Sequence, residues 1–453
     1  MTFRRGLFAS LENALPIGGV PGETEAVVLD AVQGDQEMRE AATDLIDQQV
    51  QLEDSVDAEG DLNVVADNLQ ESVDAGTGIS EDAAAATEIA VESIMKRMGV
   101  HGYGKVIVAS TESFGGSNTR LYSTKASLEG VWDTIKEFWK KFKEQVTRLF
   151  AQIKDFFAKF FDNAEKTKKA AEALKADVRE IGTKKAKETE LKSSVSKAFS
   201  EKGKADASTA SKILGNHSTL LDNSLAAFGA FEQVMNKIAS LKLNSADVTT
   251  RNGTTEALVK FADNAGILKG LGTDVPEKDA VKEDSSSKTK TSVKYAGPLV
   301  GNRVVAQEVV ESTDADDGTV KLSLGLKESS SKPAEKAAVL NEGEMNTLLA
   351  EVIKLCDKVI AYKKEQSKID KISKDLSKAA DSIVSALDTQ AGVGEDKREK
   401  GVKTAIANIK GACTSIQSVT VRLSTLAPSM AVAAGNAANQ YVRESVAQYK
   451  SDK

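Results

Sequence analysis

The stretch SLEGVWDTIKEFWKKFKEQVTRLFAQIKDFFAKFF, residues 127–161, decides the fold of this chain. Apolar side chains recur in it every seven residues, in two registers four residues apart, which is the repeat of helices that pack side by side. Both Trp and seven of the 14 Phe of the chain fall in this stretch. The pattern predicts a helix over 125–161 with an unbroken apolar stripe of Leu128, Trp132, Ile135, Trp139, Phe142, Val146, Leu149, Ile153, Phe156 and Phe160.

Two kinds of structure fit this helix. Its stripe is wide because four more apolar side chains flank it: Val131, Phe138, Phe150 and Phe157. A wide stripe is typical of a core helix packed against other helices. Trp and Phe opposite Lys is also the composition of a helix that lies on a membrane surface. Acidic residues are scattered among the lysines of the polar face, so the core helix is the favoured interpretation.

The composition of the whole chain points to the same architecture. Of its 453 residues 41% are hydrophobic but only 5% are aromatic, which suits long amphipathic helices better than one thick core. We therefore expect a mainly α protein, an elongated bundle of long amphipathic helices with a small antiparallel β-hairpin or sheet insertion and an acidic helical N-terminal segment. No stretch reaches the ~20 apolar residues of a membrane span, and the apolar run near Met1 is too short for a signal peptide.

Long helices also dominate the C-terminal region, residues 341–453. Asn341 and Glu344 have the spacing of a capping box, which predicts the start of a helix. A glycine-containing turn at 389–397 leads into a second amphipathic stretch. Two long amphipathic helices joined by a short loop predict an antiparallel pair. Pro428 is expected to bend or end the second helix.

Residues 274–340 are predicted to form a charged linker and a small β insertion. The first part, 274–292, is charged, rich in serine and almost without apolar side chains, which indicates a linker or a mobile loop. Further on, Val320, Leu322, Leu324 and Leu326 alternate with polar or small residues, as in a strand with one buried face. The sequence DADDG at 314–318 predicts a hairpin turn, because it lacks the Glu that ends a calcium loop.

Charge divides the chain into two unlike parts. Residues 1–112 hold six Lys and Arg against 22 Asp and Glu, a net charge of −16. The remaining residues hold 54 basic and 45 acidic side chains, a net charge of +9. We expect 1–112 to be an acidic segment with helices separated at 58–60 and 74–80, the last of them capped by Ser80, followed by a helical region over 113–273. Such a segment can mask the basic remainder of the chain, residues 113–453, from polyanions. We call this remainder the body.

Side chains suited to catalysis are scarce. The chain has two histidines, His101 and His217, and two cysteines, Cys356 and Cys413, with no spacing typical of a zinc site. Both cysteines fall on apolar stripes, which favours buried thiols in a reducing compartment. The nucleophile-elbow, P-loop and dinucleotide-binding motifs are all missing from the sequence. We expect a non-enzymatic protein with no catalytic residue, no metal site and no cofactor.

Several stretches make the chain resemble the internal head proteins of large tailed bacteriophages. They are EDAAAATEIAVESIMKRMGV at 81–100, STESFGG at 110–116, the aromatic stretch with its preceding residues at 123–161, and AGPLVGNRVV at 296–305, which looks like a short strand found late in such proteins. The resemblance implies a virion structural protein that is made in the host cytoplasm and carried inside the capsid with the genome. Many members are made with an N-terminal propeptide, which the prohead protease of the phage removes.

The resemblance also implies where the propeptide ends. In that family the protease cuts after Glu, with a small or apolar residue two positions before it. Ser110, Thr111, Glu112 and Ser113 fit this rule, with the cut between Glu112 and Ser113. Three other positions satisfy the same rule: Glu12, Glu81 and Glu129. Glu112 is favoured because it joins an extended segment to a Gly-rich loop and lies where the charge balance changes sign.

The expected partners follow from the family and from the charge. The resemblance implies prohead core and capsid proteins, and the prohead protease with this chain as its substrate. The net charge of +9 favours non-specific contact with packaged DNA, and the apolar stripes favour helical self-association. Two alternatives stay open. One is a membrane-active amphipathic-helix protein, ejected with DNA or secreted, and the other is an uncleaved coiled-coil scaffold or neck component.

Overall fold

The structure of the chain, a computed structural model, describes residues 23–99, 117–240, 266–273, 275–286, 288–312, 320–391 and 400–449. Helices form most of it, which confirms the expected mainly α fold with a small β insertion. The helices are α1 Glu23–Asp74, α2 Glu81–Arg97, α3 Ser117–Arg179, α4 Ser194–Ala198, α5 Ala207–Ser240, α6 Glu342–Ala361, α7 Gln366–Ala391 and α8 Lys400–Ala447. The strands are β1 Glu190–Leu191, β2 Ala280–Asp284, β3 Thr289–Leu299, β4 Arg303–Ser312, β5 Val320–Glu328 and β6 Ala337–Ala338.

The aromatic stretch lies within α3 and supplies much of the core. All ten positions of the stripe and the four flanking apolar residues are buried. The ring of Tyr362, from the 3₁₀ turn between α6 and α7, packs edge-on against Phe157, Phe160 and Phe228, at centroid distances of 6.1, 6.3 and 6.0 Å. Burying one large apolar side chain stabilises a fold by about 1.5–3 kcal/mol. The stripe therefore faces other helices of the same chain.

Helix α8 is surrounded by other elements on all sides. It contacts α1, α3, α4, α5, α6, α7 and β5, and nearly every residue from Ile406 to Val446 is buried. Small residues allow this close approach. A Cβ added to Gly435 would lie 2.9 Å from Cγ2 of Thr167 on α3, closer than side-chain carbons pack. The rest of the helical bundle is arranged around α8.

Contacts between side chains give the directions of the helices. Leu340 N donates to Ser445 Oγ at 3.2 Å, and Tyr362 Oη lies 3.5 Å from Leu423 O, so the helices before and after residues 392–399 run antiparallel as predicted. Helix α3 is antiparallel to α6 and α7 as well, since its ion pairs are Lys168–Asp357, Lys154–Asp370 and Lys143–Asp381, each 2.7 Å long. The predicted capping box of Asn341 and Glu344 is present at the start of α6.

The β insertion is a four-stranded antiparallel sheet in the order β2-β3-β4-β5. Its last strand is fastened to α8, because Leu322 N donates to Ser415 Oγ at 3.0 Å and Leu324 O accepts from Arg422 Nη1 at 2.8 Å. Strands β3 and β4 are joined by a tight turn in which Gly301 and Asn302 have positive φ angles of 78° and 55°. The sheet is thereby held against the helical bundle along β5.

Helices continue through two positions where the sequence suggests a break. The residues 58–60 do not interrupt α1, because Ala58 and Glu59 are buried while Gly60 faces open space and costs only about 1 kcal/mol of helix propensity. Of the two outcomes expected at Pro428, a bend or an end of the helix, the end does not occur, because α8 continues through Pro428 to Ala447. Packing on every face of α8 outweighs the one backbone hydrogen bond that a proline removes.

Two predictions about the β insertion also differ from the structure. Part of the expected linker at 274–292 is strand β2, paired antiparallel with β3, because its backbone completes the sheet although its side chains are mostly exposed. The stretch 296–305 is not one strand but the end of β3, a turn and the start of β4. The glycine and asparagine in the turn adopt the positive φ angles that such a reversal requires. The predicted hairpin turn at 314–318 and His101 lie outside the described residues.

Candidate functional site

The predicted cleavage site lies outside the described residues. Ser110, Thr111, Glu112 and Ser113 fall between Gly99, where the description of the acidic segment ends, and Ser117, where α3 begins. The acidic segment before that gap contains α1 and α2, and the way in which it is held can be read from their contacts. The candidate functional site is therefore the contact between α1 and the rest of the molecule, which we call the α1 seat.

The α1 seat is formed first of all by α3. The two helices run antiparallel, since Lys166 Nζ binds Asp30 Oδ1 at 3.1 Å near one end and Trp139 Nε1 binds Glu59 Oε1 at 3.1 Å further along. One face of α1 is buried from Val28 onwards, and its buried apolar residues include Val28, Met38, Ala42, Leu45, Ile46, Leu52, Leu62, Ala66 and Leu69. The acidic segment is thus part of the same core as α3.

A buried charged cluster lies in the middle of the α1 seat. Glu59 Oε1 accepts a hydrogen bond from Trp139 Nε1 of α3 and a second one from Lys410 Nζ of α8. Lys410 Nζ also lies 5.5 Å from the centroid of the Trp139 ring, in the position of a cation–π contact. The side chains of Glu59 and Lys410 are only 2% and 10% exposed. One carboxylate of the acidic segment therefore neutralises a buried cation of the body and satisfies an indole N–H.

A second cluster joins α1 to α8 and the sheet. Arg422 Nε donates to Gln49 Oε1 at 3.1 Å, and Arg422 Nη1 donates to Leu324 O at 2.8 Å. Glu53 Oε2 lies 3.7 Å from Arg422 Nη2. Burial lowers the pKa of the Arg422 guanidinium, and the charge of Glu53 partly opposes that effect. Gln49 and Glu53 thus complete the surroundings of a buried cation of the body.

Towards the start of α1, a polar seam runs between α1, α3 and α8. Asn436 Nδ2 donates to Ala31 O at 3.2 Å, and Asn436 Oδ1 accepts from Thr167 Oγ1 at 2.9 Å. Asp35, one turn further along α1, is buried and paired with Arg39. Burial raises the pKa of the Asp35 carboxyl, while Arg39 acts in the opposite direction. Side chains of the body thus recognise the backbone of α1 as well as its side chains.

Helix α2 is the less deeply held part of the acidic segment. Ser80 Oγ caps it as predicted, accepting from Ala83 N at 3.2 Å. Its packing is mainly against α1, and Arg97 Nη1 binds Asp61 Oδ2 of α1 at 2.5 Å. The loop before α2 reaches α3, because Ile79 N donates to Thr124 Oγ1 at 3.0 Å. Helix α1 therefore provides most of the contact between the acidic segment and the body.

Three further titratable groups of the described residues, one histidine and two cysteines, are also buried. His217 Nε2 accepts from Val300 N at 3.1 Å, and burial lowers the pKa of His217 to about 3. The two cysteines are unpaired and buried, and burial raises the pKa of both Cys356 and Cys413 to about 12. Within the described ranges no three His, Cys, Asp or Glu residues cluster as metal ligands, and none of the described helices is long and apolar enough to cross a membrane.

The sequence indicates the apolar half of this site but not its charged half. The stripe of α3 carries a periodic signal, whereas Glu59 stands beside a glycine that suggests a helix break. Lys410 and Arg422 have no such signal either, since lysines and arginines are frequent throughout the chain. Their burial depends on α8 being enclosed by seven other elements, which a pattern local to one helix does not show.

Comparison with known proteins gives one family. The model of the phiKZ-like phage internal head proteins matches residues 35–444. The match covers nearly the whole chain and includes α1 from the buried Asp35 onwards. No curated protein and no solved structure matches the chain.

Proposed function

Because the chain belongs to the phiKZ-like phage internal head proteins, structural proteins that lie inside the capsid, we propose that its acidic segment, residues 1–112, is an assembly propeptide. In this proposal the segment directs the chain into the prohead core and masks the basic body until the prohead protease cuts after Glu112. The protein itself acts as a structural component and catalyses no reaction.

The observation that carries the proposal is the fit of an acidic helix over buried cations of the body. The segment has a net charge of −16 and the remainder +9. Glu59 binds Lys410, and Gln49 and Glu53 surround Arg422. A segment that covers cations in this way reduces the positive field of the body and with it non-specific attraction to nucleic acid.

The positions of the helices support a cut after Glu112 rather than at two of the alternatives. Glu81 is in the first turn of α2, and Glu129 is inside α3 next to the buried Leu128. A protease needs an extended substrate, so both of those sites would require local unfolding first. Glu112 lies in the sequence between α2 and α3, where a cut divides neither helix. Glu12 lies outside the described residues.

The proposed partners are capsid and prohead core proteins, the prohead protease and packaged DNA. Contact with DNA would be electrostatic and independent of base sequence, and it would weaken as salt is added. The membrane-active alternative requires the stripe of α3 to leave the core, because all of its residues are buried against other helices in this fold. No feature of the described residues favours that alternative.

The direct test is the N-terminus of the protein in mature particles, determined by mass spectrometry of purified virions. We expect a new terminus at Ser113, and we expect Glu112→Ala to abolish it. The matched control is Glu81→Ala, at a position that fits the same sequence rule, and it should leave the Ser113 terminus in place. A chain that is still joined across Glu112 and Ser113 in mature virions would overturn the propeptide and support the uncleaved scaffold.

A further inference from the structure

The described contacts of the acidic segment do not depend on the linker that carries the predicted cleavage site. They are made by the faces of α1 and α2 and by the loop at Ile79, all before residue 100. A cut within 100–116 removes the covalent connection and leaves these contacts in place. We propose that the cut product is a two-chain complex, and that release of the acidic segment is a separate step controlled by the buried contacts of Glu59 and Gln49.

Release of α1 is opposed by the groups that it leaves behind. Lys410 and the indole N–H of Trp139 lose their shared acceptor, and Arg422 loses Gln49 as its acceptor. The hydrogen bonds of the buried Glu59–Lys410 pair must break before water reaches either charge, whereas an exposed pair is solvated as it separates. The apolar face of α1 must be exposed to water in the same step. Dissociation therefore has a barrier that the protease does not lower.

The linker determines whether dissociation is lasting. While it is intact, a segment that comes off remains close to its seat and rebinds, because a tether keeps its effective concentration high. After the cut, a segment that comes off diffuses away. The protease thus makes release irreversible, and the buried contacts determine how fast it happens.

Long-range charge should act on this step in addition to the buried contacts. The segment and the remainder carry net charges of opposite sign, −16 and +9. Attraction between exposed charges is screened by salt, whereas a buried pair is screened much less. Added salt should therefore speed release without removing the dependence on Glu59.

The experiment uses the full-length purified chain with the recognition sequence of a site-specific protease placed within residues 100–116. After complete cutting, we expect the two fragments to elute together on size exclusion and to separate only slowly on dilution. Glu59→Gln should speed that separation by at least about tenfold, because it leaves Lys410 without a counter-charge. Gln49→Ala should speed it as well, by removing the acceptor of Arg422 Nε.

The matched control is Glu37→Gln, which makes the same change of charge at an exposed position of α1. It should change the release rate by less than twofold. Fragments that separate as soon as the chain is cut would overturn the two-chain complex, and equal effects of Glu37→Gln and Glu59→Gln would overturn the role of the buried cluster. If Glu59→Gln does not fold, Gln49→Ala against Glu37→Gln decides the same question.

That the cut takes place in the prohead rests on the proposed function. The outcome of this test does not depend on it. The inserted site is cut by an added protease, so the complex can persist even if virions contain no Ser113 terminus. Conversely, a Ser113 terminus in virions with immediate separation of the cut fragments would support the propeptide and contradict the retained complex.

Discussion

The α1 seat and the contact of α3 with α6 and α7 both join a lysine to an acidic residue, and they do so in different surroundings. In the seat, the side chains of Glu59 and Lys410 are 2% and 10% exposed. Between α3 and α7, the side chains of Asp381 and Lys143 are 60% and 41% exposed. In the sequence the two pairs look alike, since each is one charge among many. Exposure to water distinguishes the two pairs: the fold depends on the buried pair of Glu59 and Lys410, and it can lose the exposed pair of Asp381 and Lys143.

This difference has a physical scale. An exposed ion pair contributes about 0–1 kcal/mol, because water solvates the separated charges nearly as well. A buried pair gains more Coulomb energy but has lost its hydration, so its net contribution is small while both partners are present. Removing one partner then costs about 3–5 kcal/mol, because the other remains buried and charged. The acidic segment therefore contains many exposed carboxylates that contribute mainly to its field, and Glu59, whose carboxylate is buried against a cation of the body.

The largest expected effect comes from Glu59→Gln. Gln keeps the size of the side chain and can still accept from Trp139 Nε1, but Lys410 loses its counter-charge. We expect the free energy of unfolding to fall by about 3–5 kcal/mol, measured by urea denaturation of the uncut chain.

The control for this variant is Glu37→Gln on the same helix, where the side chain is exposed and a change within about 0.5 kcal/mol is expected. A loss below about 1 kcal/mol for Glu59→Gln would mean that Lys410 is solvated or bound by another group. The contrast between the two regions would then disappear.

His217 is a buried titratable group without a counter-charge, so its burial makes the free energy of unfolding depend on pH. The pKa of His217 is lowered to about 3 by burial, against a usual value of 6.5, so His217 is neutral in the folded protein and takes up a proton on unfolding. Its stabilising effect is complete above pH ~6.5 and is lost as the pH falls towards 3. When the pH is lowered from 7 to 5, His217 becomes protonated in the unfolded chain only. We expect this to lower the free energy of unfolding by about 2 kcal/mol.

Urea denaturation at the two pH values measures this loss, and His217→Gln is the variant that should lack it, whatever its stability at pH 7. Asp35 acts in the opposite sense, because burial raises the pKa of its carboxyl and protonation in the folded state opposes the loss. If the wild-type chain lost no more stability between pH 7 and pH 5 than His217→Gln does, water would have to reach His217.

The sequence alone predicts the mainly α fold, the stripe of α3, the antiparallel C-terminal helices and the caps at Ser80 and Asn341, because these depend on periodicity and local spacing. It does not predict the α1 seat. An acidic, weakly striped segment suggests a separate appendage, but α1 is buried because α3 and α8 together supply an apolar surface and two cations. Gly60 and Pro428 mislead for the same reason, since tertiary packing outweighs a cost of about 1–3 kcal/mol at one residue.

The smallest expected effect belongs to the exposed pair, and it defines the other end of the comparison. Asp381→Asn removes the partner of Lys143, and both groups are accessible to water. We expect at most about 1 kcal/mol of destabilisation at low ionic strength, measured by urea denaturation. In about 1 M salt the screening length is about 3 Å, and the difference from the wild type should disappear. Glu59→Gln should keep most of its effect in the same salt, because salt does not enter the core. If both variants lost their effects together, the charges of the α1 seat would have to be as accessible as those between α3 and α7.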